Sequence, residues 1–266
     1  MDEIEQPLLE EVRDGALWLT LNRRRTLNAI DMPMLNQLMS ALDRAGQDDA
    51  IRCVVISGSR RAFSSGQDLD EITVIENERG PAAIGLELRD RYAPLVLKLR
   101  ELPKPIVAAV NGIVTGAGLG LALGCDLRIA SDAATFIAAP YRIGLMPAVG
   151  LSILLPALLG LGRAFEVCML EYRIDAQKAL EVGLVNRVAP VEQFEEAVAE
   201  LVSKLTALPM RAFATTKAAF NAAALPNLRE HLEREIGWQI EAALDPDHQE
   251  GMASLREHRT PNFNRG

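Results

Sequence analysis

The chain has 266 residues and a formal net charge of −8. A chain of this length buries enough apolar surface to fold without disulfides or a structural metal. Its acidic balance argues against nucleic-acid binding, which needs concentrated positive charge.

Taken in chain order, the opening MDEIEQPLLEEV has no basic segment leading into an apolar core, so a cytoplasmic location is expected. GALWLTL, residues 15–21, reads as a strand. A basic turn, NRRRTLN, leads to a helix cap at Asp31 with Pro33 in the first turn, and apolar residues then recur at helical spacing from Met34 to Ala45. IRCVVIS, residues 51–57, is a second strand, and Leu69 to Arg100 is helical with breaks at Gly80-Pro81 and Pro94. That segment reads either as a cover over a site or as a solvated helix pair.

IVAAVNG, the glycine-rich turn TGAG, LGLALGC and LRIASD then give strand, turn, helix and strand. The glycines and Asn111 inside this apolar stretch make it a buried crossing rather than a membrane span. Helix follows over Leu151 to Leu170 with a break at 159–162, and RIDAQKALEVGLVNRVAP gives a cap, a short helix, a glycine stop and a strand. Helices are expected over 193–206, 210–224 and 228–243, and GMASLREHRTPNF reads as a terminal helix. Cys53, Cys125 and Cys168 sit among apolar neighbours, without metal-ligand spacing, and read as buried thiols.

Several ordered segments carry a family likeness. LNRRRTLNAID, VVISGSRRAFSSGQDLDE, KPIVAAVNGIVTGAGLGLALGCDLRIASDAATF, RIGLMPAVGLSILLPALLG, RIDAQKALEVGLVNRVAP and HQEGMASLREHRTPNF together resemble the crotonase superfamily, also called the enoyl-CoA hydratase and isomerase family. The resemblance implies an α/β, crotonase-like (ClpP/crotonase) spiral of ββα units over residues 1–205. It also implies a helical region, 206–266, for trimerisation and site closure, with trimers often paired into hexamers. The expected partner is an acyl-CoA thioester. Coenzyme A enters as part of the substrate, with no permanently bound cofactor or metal and no nucleic-acid or membrane partner.

By family position, the backbone N–H groups of Gln67 and Ala117 hold the thioester oxygen and stabilise an enolate, whose growing charge fixed donors in a dry pocket favour. The same resemblance places coenzyme A along Arg25, Leu27 and Ala29 and along Ser65, Gln67, Asp68 and Leu69, with Gly116 beside Ala117. Arg23, Arg24 and Arg25 form a basic patch suited to phosphates, or a solvated turn. Asp68, like Ser64 and Ser65, is expected to shape the loop or cap the next helix. Arg259, with His258, matches a basic tail that in the family often reaches a neighbouring subunit's nucleotide.

The carboxylates of a hydratase fall, by the same comparison, at Gly120 and Pro140, and a third position used by some relatives is Ala148. None of these exchanges a proton. Tyr141 beside Pro140, Glu87 in the cover, and Glu171 with Tyr172 are the replacement candidates. Phe136, Ile137, Ala138, Ala139, Ile143, Leu145, Met146 and Val149 form an apolar pocket or plain core. The expected function is transformation of an acyl-CoA through an oxyanion hole. A decarboxylase, a non-catalytic acyl-CoA carrier and a structural subunit remain open.

Overall fold

The computed structural model describes residues 6–138, 140–170 and 173–263. Strands β1 (Leu8–Arg13) and β2 (Ala16–Leu21) form a hairpin whose turn, Asp14-Gly15, has both residues at positive φ. Asp-Gly suits that turn because both central residues of the tight hairpin need left-handed backbone. β1 was not expected from the sequence: only Leu8 is buried along it, so no alternation marks it. Helix α1 (Met32–Gln47) follows, with the Asp31 carboxylate accepting the Met34 N–H at 2.9 Å as its cap.

Three repeats then build two sheets. In each, one strand enters a large sheet and the next enters a small one: β3 (Cys53–Gly58) and β4 (Ala62–Ser64), β5 (Ile106–Val110) and β6 (Ile113–Thr115), β7 (Leu127–Ser131) and β8 (Thr135–Ile137). Between the first two repeats lie α2 (Leu69–Arg79), α3 (Ala83–Glu87) and α4 (Ala93–Glu101), and α5 (Gly116–Gly124) follows β6. Later come α6 (Leu151–Leu159), α7 (Leu161–Phe165), β9 (Ile174–Asp175), α8 (Ala176–Glu181) and β10 (Arg187–Ala189). The large sheet has the order β1-β2-β3-β5-β7-β10, parallel from β2 onward, and the small sheet β4-β6-β8-β9. With the helices that follow β4 and β6, this is the spiral of ββα units expected from the sequence.

Helix α9 (Phe194–Thr206) covers one face of the large sheet, packing Val198, Leu201 and Val202 with Val55, Val107 and Ile129. Leu35, Leu38 and Leu42 of α1, with Leu95 and Leu99 of α4, fill the larger core on the other face. Helices α10 (Met210–Ala224), α11 (Leu228–Leu244) and α12 (Pro246–Arg256) form the tail. No helix of the described residues is long and apolar enough to cross a membrane.

Two expectations are corrected. Pro94 does not break the cover: a π turn over Leu88–Tyr92 runs into α4, and the Ala93 N–H bonds to the Leu88 carbonyl. Proline sits there in the first turn of α4, where its missing N–H costs least. The terminal helix also starts earlier, at Pro246 behind an Asp245 cap, and ends at Arg256, leaving EHRTPNF outside it.

Helix α10 is fastened to the body by charge. Lys217 Nζ lies 2.8 Å from Asp126 and 2.8 Å from the Leu99 carbonyl, and Arg100 lies 3.2 Å from the same carboxylate. Burial pulls the Lys217 ammonium down from its ordinary value, and Asp126 opposes that pull. Removing one member of such a pair exposes the other to an uncompensated interior. Lys217→Met is therefore expected to lower unfolding stability by about 3 kcal/mol in urea titration.

Candidate active site

The loop leaving β4 is sewn to the chain before α1. The Ser65 N–H donates to the Leu27 carbonyl at 2.9 Å and the Ser65 hydroxyl to the Thr26 carbonyl at 2.8 Å. Ile30 then pairs with Gln67 in a short parallel bridge: Ile30 N–H donates to the Gly66 carbonyl at 2.7 Å, and Asp68 N–H to the Ile30 carbonyl at 3.1 Å. Because the flanking residues supply those bonds, the N–H of Gln67 itself turns to the opposite side.

On that side begins α5. Its cap residue, Thr115, makes no side-chain cap bond, and the N–H groups of its first turn have no carbonyl within the helix to reach. Gly66, at φ +93°, passes so close that a β-carbon there would lie 3.0 Å from the Thr115 carbonyl oxygen and 3.3 Å from the Ala117 nitrogen. Two main-chain donors, on Gln67 and Ala117, thus border one cavity of about 360 Å³. The positive end of α5 adds to the field there.

Ser65, Gln67, Leu69, Gly116, Ala117 and Arg259 line this cavity. Asp68 does not; it caps α2, accepting the Asp70 and Glu71 N–H groups at 3.0 and 3.2 Å and Arg23 at 2.7 Å. Burial works against the Asp68 anion, but Arg23 and those amides outweigh it and hold the carboxyl below its ordinary value. Arg23 is spent on structure, binding Asp31 at 2.9 Å and the Ala29 carbonyl at 2.8 Å as well. Ala29 is buried beneath the loop, Leu27 is half-buried, and Arg25 stands exposed on the turn with no hydrogen bond or ion pair among the described residues.

Much of the remaining lining is apolar, including Ile137, Ala138, Ile143, Leu145, Met146 and Val149, whereas Phe136 does not reach the cavity. Ala139, Glu171 and Tyr172 lie outside the described residues. Tyr141 sits on the 3-10 turn Pro140–Ile143, whose other members line the cavity while Tyr141 does not. Glu87 is buried behind Ile84 and Leu88, paired with Arg91; burial pushes its carboxyl up, and it too is off the cavity wall.

Pro140 and Ala148 line the cavity, and Gly120 is explained by packing: a β-carbon there would meet the Val149 carbonyl oxygen at 2.5 Å. Among the described residues that line the cavity the charged ones are Arg142 and Arg259, both cationic. Arg259 is bound to Glu250 at 3.0 Å and to Glu257, which raise its already high pKa. It faces the cavity of its own chain.

Sequence reasoning missed the tail's polar contributions. Gln239 and Ser254 line the cavity, from α11 and α12. His248, also on α12, ties the Ile143 carbonyl (Nδ1, 2.6 Å) to Glu76 of the cover (Nε2, 2.9 Å). The available signal was a set of polar residues at apolar spacing, since Glu235 and Gln239 fall on the stripe of Leu232 and Ala243.

A two-sheet spiral whose loop after β4 meets the start of α5 at a largely apolar cavity defines the class of fold, and comparison with known proteins agrees. The family model described as enoyl-CoA hydratase/isomerase matches residues 11–266. The chain belongs to this family, within the crotonase superfamily. It is 36 % identical over 257 residues to the 1,2-epoxyphenylacetyl-CoA isomerase of Escherichia coli, covering 96 % of this chain and 97 % of that protein. It is 37 % identical over 257 residues to a probable enoyl-CoA hydratase of Rhodobacter capsulatus, covering 95 % and 96 % of the two. The crystal structure of an enoyl-CoA hydratase from Mycobacterium avium subsp. paratuberculosis superposes with a TM-score of 0.85 at 37 % identity, over 97 % of this chain and 98 % of that one.

Two outcomes follow from this geometry. A side chain at position 66 pushes the Gln67 and Ala117 segments apart and is strained by the positive φ, so Gly66→Val is expected to abolish thioester binding in calorimetry. For His248, burial alone would pull the imidazolium down, but Glu76 and the Ile143 carbonyl prevail and the group titrates above its ordinary value of 6.5. Its contribution to stability is then complete below that value and is lost as pH rises through the elevated one. Urea unfolding between about pH 6 and about pH 9 should show this loss, and His248→Ala should flatten it.

Proposed function

We propose that the cavity binds an acyl-CoA thioester, with the thioester oxygen between the N–H groups of Gln67 and Ala117. The observation that carries this reading is the approach of Gly66 to the start of α5, which brings both donors to one wall. A carbonyl oxygen there gains negative charge when the α carbon becomes carbanionic. Fixed donors stabilise that enolate more than the ground state, which is what accelerates a reaction. The apolar wall takes the acyl group. Arg25, exposed beside Leu27 and Ala29, and Ser65 to Leu69 flank the coenzyme A portion, with Arg25 as the phosphate contact.

The relatives named above act, by their names, on epoxyphenylacetyl-CoA and enoyl-CoA. Of the two sequence candidates for proton transfer, Tyr141 stands off the cavity wall, so for this chain the group is Glu171, or none is needed. The filled position at Gly120, with Pro140 and Ala148 on the wall, favours a second reading, decarboxylation. There the bond between the α carbon and a substrate carboxylate breaks, CO2 leaves, and its electron pair forms the enolate. Water then returns a proton to carbon. Orientation and the paired amides carry most of that chemistry.

Titration with a panel of acyl-CoAs, followed by mass spectrometry for product, tests the reading. Binding with turnover is expected; binding alone would make the protein a carrier, and no binding would sink the acyl-CoA assignment. Loss of a true proton carrier costs on the order of 100-fold in turnover. Tyr141→Phe is expected to cost far less, because Tyr141 is off the wall.

We also assign a cytoplasmic homotrimer, free or paired as a hexamer. Leu161, Phe165 and Leu170, exposed by 66, 60 and 78 %, supply apolar surface for such a contact. Sedimentation should give three or six times the 29.0 kDa chain mass, and a monomer would refute the assignment.

A further inference from the structure

Helix α11 presents two polar side chains on the face it buries. Leu232, Glu235, Gln239 and Ala243 are its buried residues, three and four apart, so Glu235 and Gln239 point the same way. Both accept main-chain N–H groups from one loop. Gly150 N–H donates to Glu235 Oε1 at 3.0 Å, and Met146 N–H to Gln239 Oε1 at 3.3 Å. The Ser152 hydroxyl bonds to the other oxygen of Glu235, with His231 Nε2 3.0 Å from that hydroxyl.

The gripped loop forms part of the cavity wall, which Met146, Ala148, Val149 and Leu151 line. Its conformation is costly. Val149 lies at φ +59° and Gly150 at +75°, and the left-handed region strongly disfavours a β-branched residue such as valine. Such a turn persists only where its surroundings over-determine it. Here Gly120 of α5 leaves room for the Val149 carbonyl from one side, and α11 holds the flanking amides from the other.

We propose that Glu235 and Gln239 are positioning residues that determine acyl-chain specificity: by holding the 146 and 150 amides they keep the Val149 turn in place and so fix how long a chain the cavity admits. This rests on the acyl-CoA reading above. Without the grip, Val149 relaxes toward extended backbone and the wall recedes. The donors at Gln67 and Ala117 and the coenzyme A side are built from other elements and do not move with it.

The test is calorimetry with straight-chain saturated acyl-CoAs of about 2 to about 16 carbons, and with coenzyme A itself, since each buried methylene gives a measurable step. Wild type, Glu235→Ala, Glu235→Gln and Gln239→Leu are compared, together with hydrogen exchange at the Met146 and Gly150 amides. In wild type, affinity should stop rising at a defined chain length. In Glu235→Ala that limit should move to longer chains, with affinity for them up on the order of tenfold, as two further buried methylenes would give. Coenzyme A should bind as before, and the Gly150 amide should exchange faster while α5 amides do not. Gln239→Leu should act in the same direction through Met146. Glu235→Gln keeps an acceptor oxygen for Gly150 and should restore the wild-type limit.

An unmoved limit, or an equal loss for every ligand including coenzyme A, overturns the proposal and leaves the acyl-CoA reading standing. Unchanged exchange at Gly150 in Glu235→Ala overturns the grip itself. A wild type that binds no acyl-CoA overturns the reading, and this proposal falls with it.

Discussion

The close pass of Gly66 over the start of α5 is the constraint on which the site depends. A loop and a helix terminus meet with no side chain between them, because a β-carbon at position 66 would sit 3.0 Å from the Thr115 carbonyl oxygen. Everything nearby serves to hold that approach. The Ile30–Gln67 bridge fixes the loop's facing, Ser65 laces it to Thr26 and Leu27, and Asp68 anchors its far end as the cap of α2 while gripping Arg23. Preorganisation of this kind is useful because donors already in place cost nothing to reorient when charge develops.

The second layer is the tail. Helices α11 and α12 bring Gln239 and Ser254 to the cavity, and His248 bonds the carbonyl of Ile143 in its wall. His248 lies between the Ile143 carbonyl and the Glu76 carboxylate, and both partners favour its protonated form against the opposing effect of burial. It therefore joins the cover helix, the 140–143 turn and α12 through one polar link. The shape of the acyl pocket and the seating of the tail are consequently one problem rather than two.

The order of strands and helices was legible because the large sheet is buried on both faces and reads as continuous apolar runs, as in Ile106–Val110. β1 was not, because its outer residues are exposed and only the Asp14-Gly15 turn signals the hairpin. The meeting of Gln67 and Ala117 at one cavity was reachable through family resemblance, not from composition: a main-chain N–H leaves no trace in residue type. Glu235, Gln239 and His248 were illegible for another reason. Their partners lie 85, 93 and 105 residues away along the chain, at Gly150, Met146 and Ile143, and nothing local announces such contacts.

The residues at 120, 140 and 148 also divide the site's chemistry in two. A main-chain N–H survives every substitution except proline, so the placing of the Gln67 and Ala117 amides is set by the fold rather than by residue type. At those three positions the side chain decides the chemistry, and here they are glycine, proline and alanine, which shape backbone and cavity but carry no ionisable group. At position 120 the change reaches beyond the residue itself, because the Val149 carbonyl occupies the space a side chain would need. Placing a side chain there means moving Val149, hence freeing the turn that Glu235 and Gln239 hold from the far side. The glycine at position 120 and the grip of α11 are thus two sides of one packing arrangement, and a change to either reaches the cavity through the same turn.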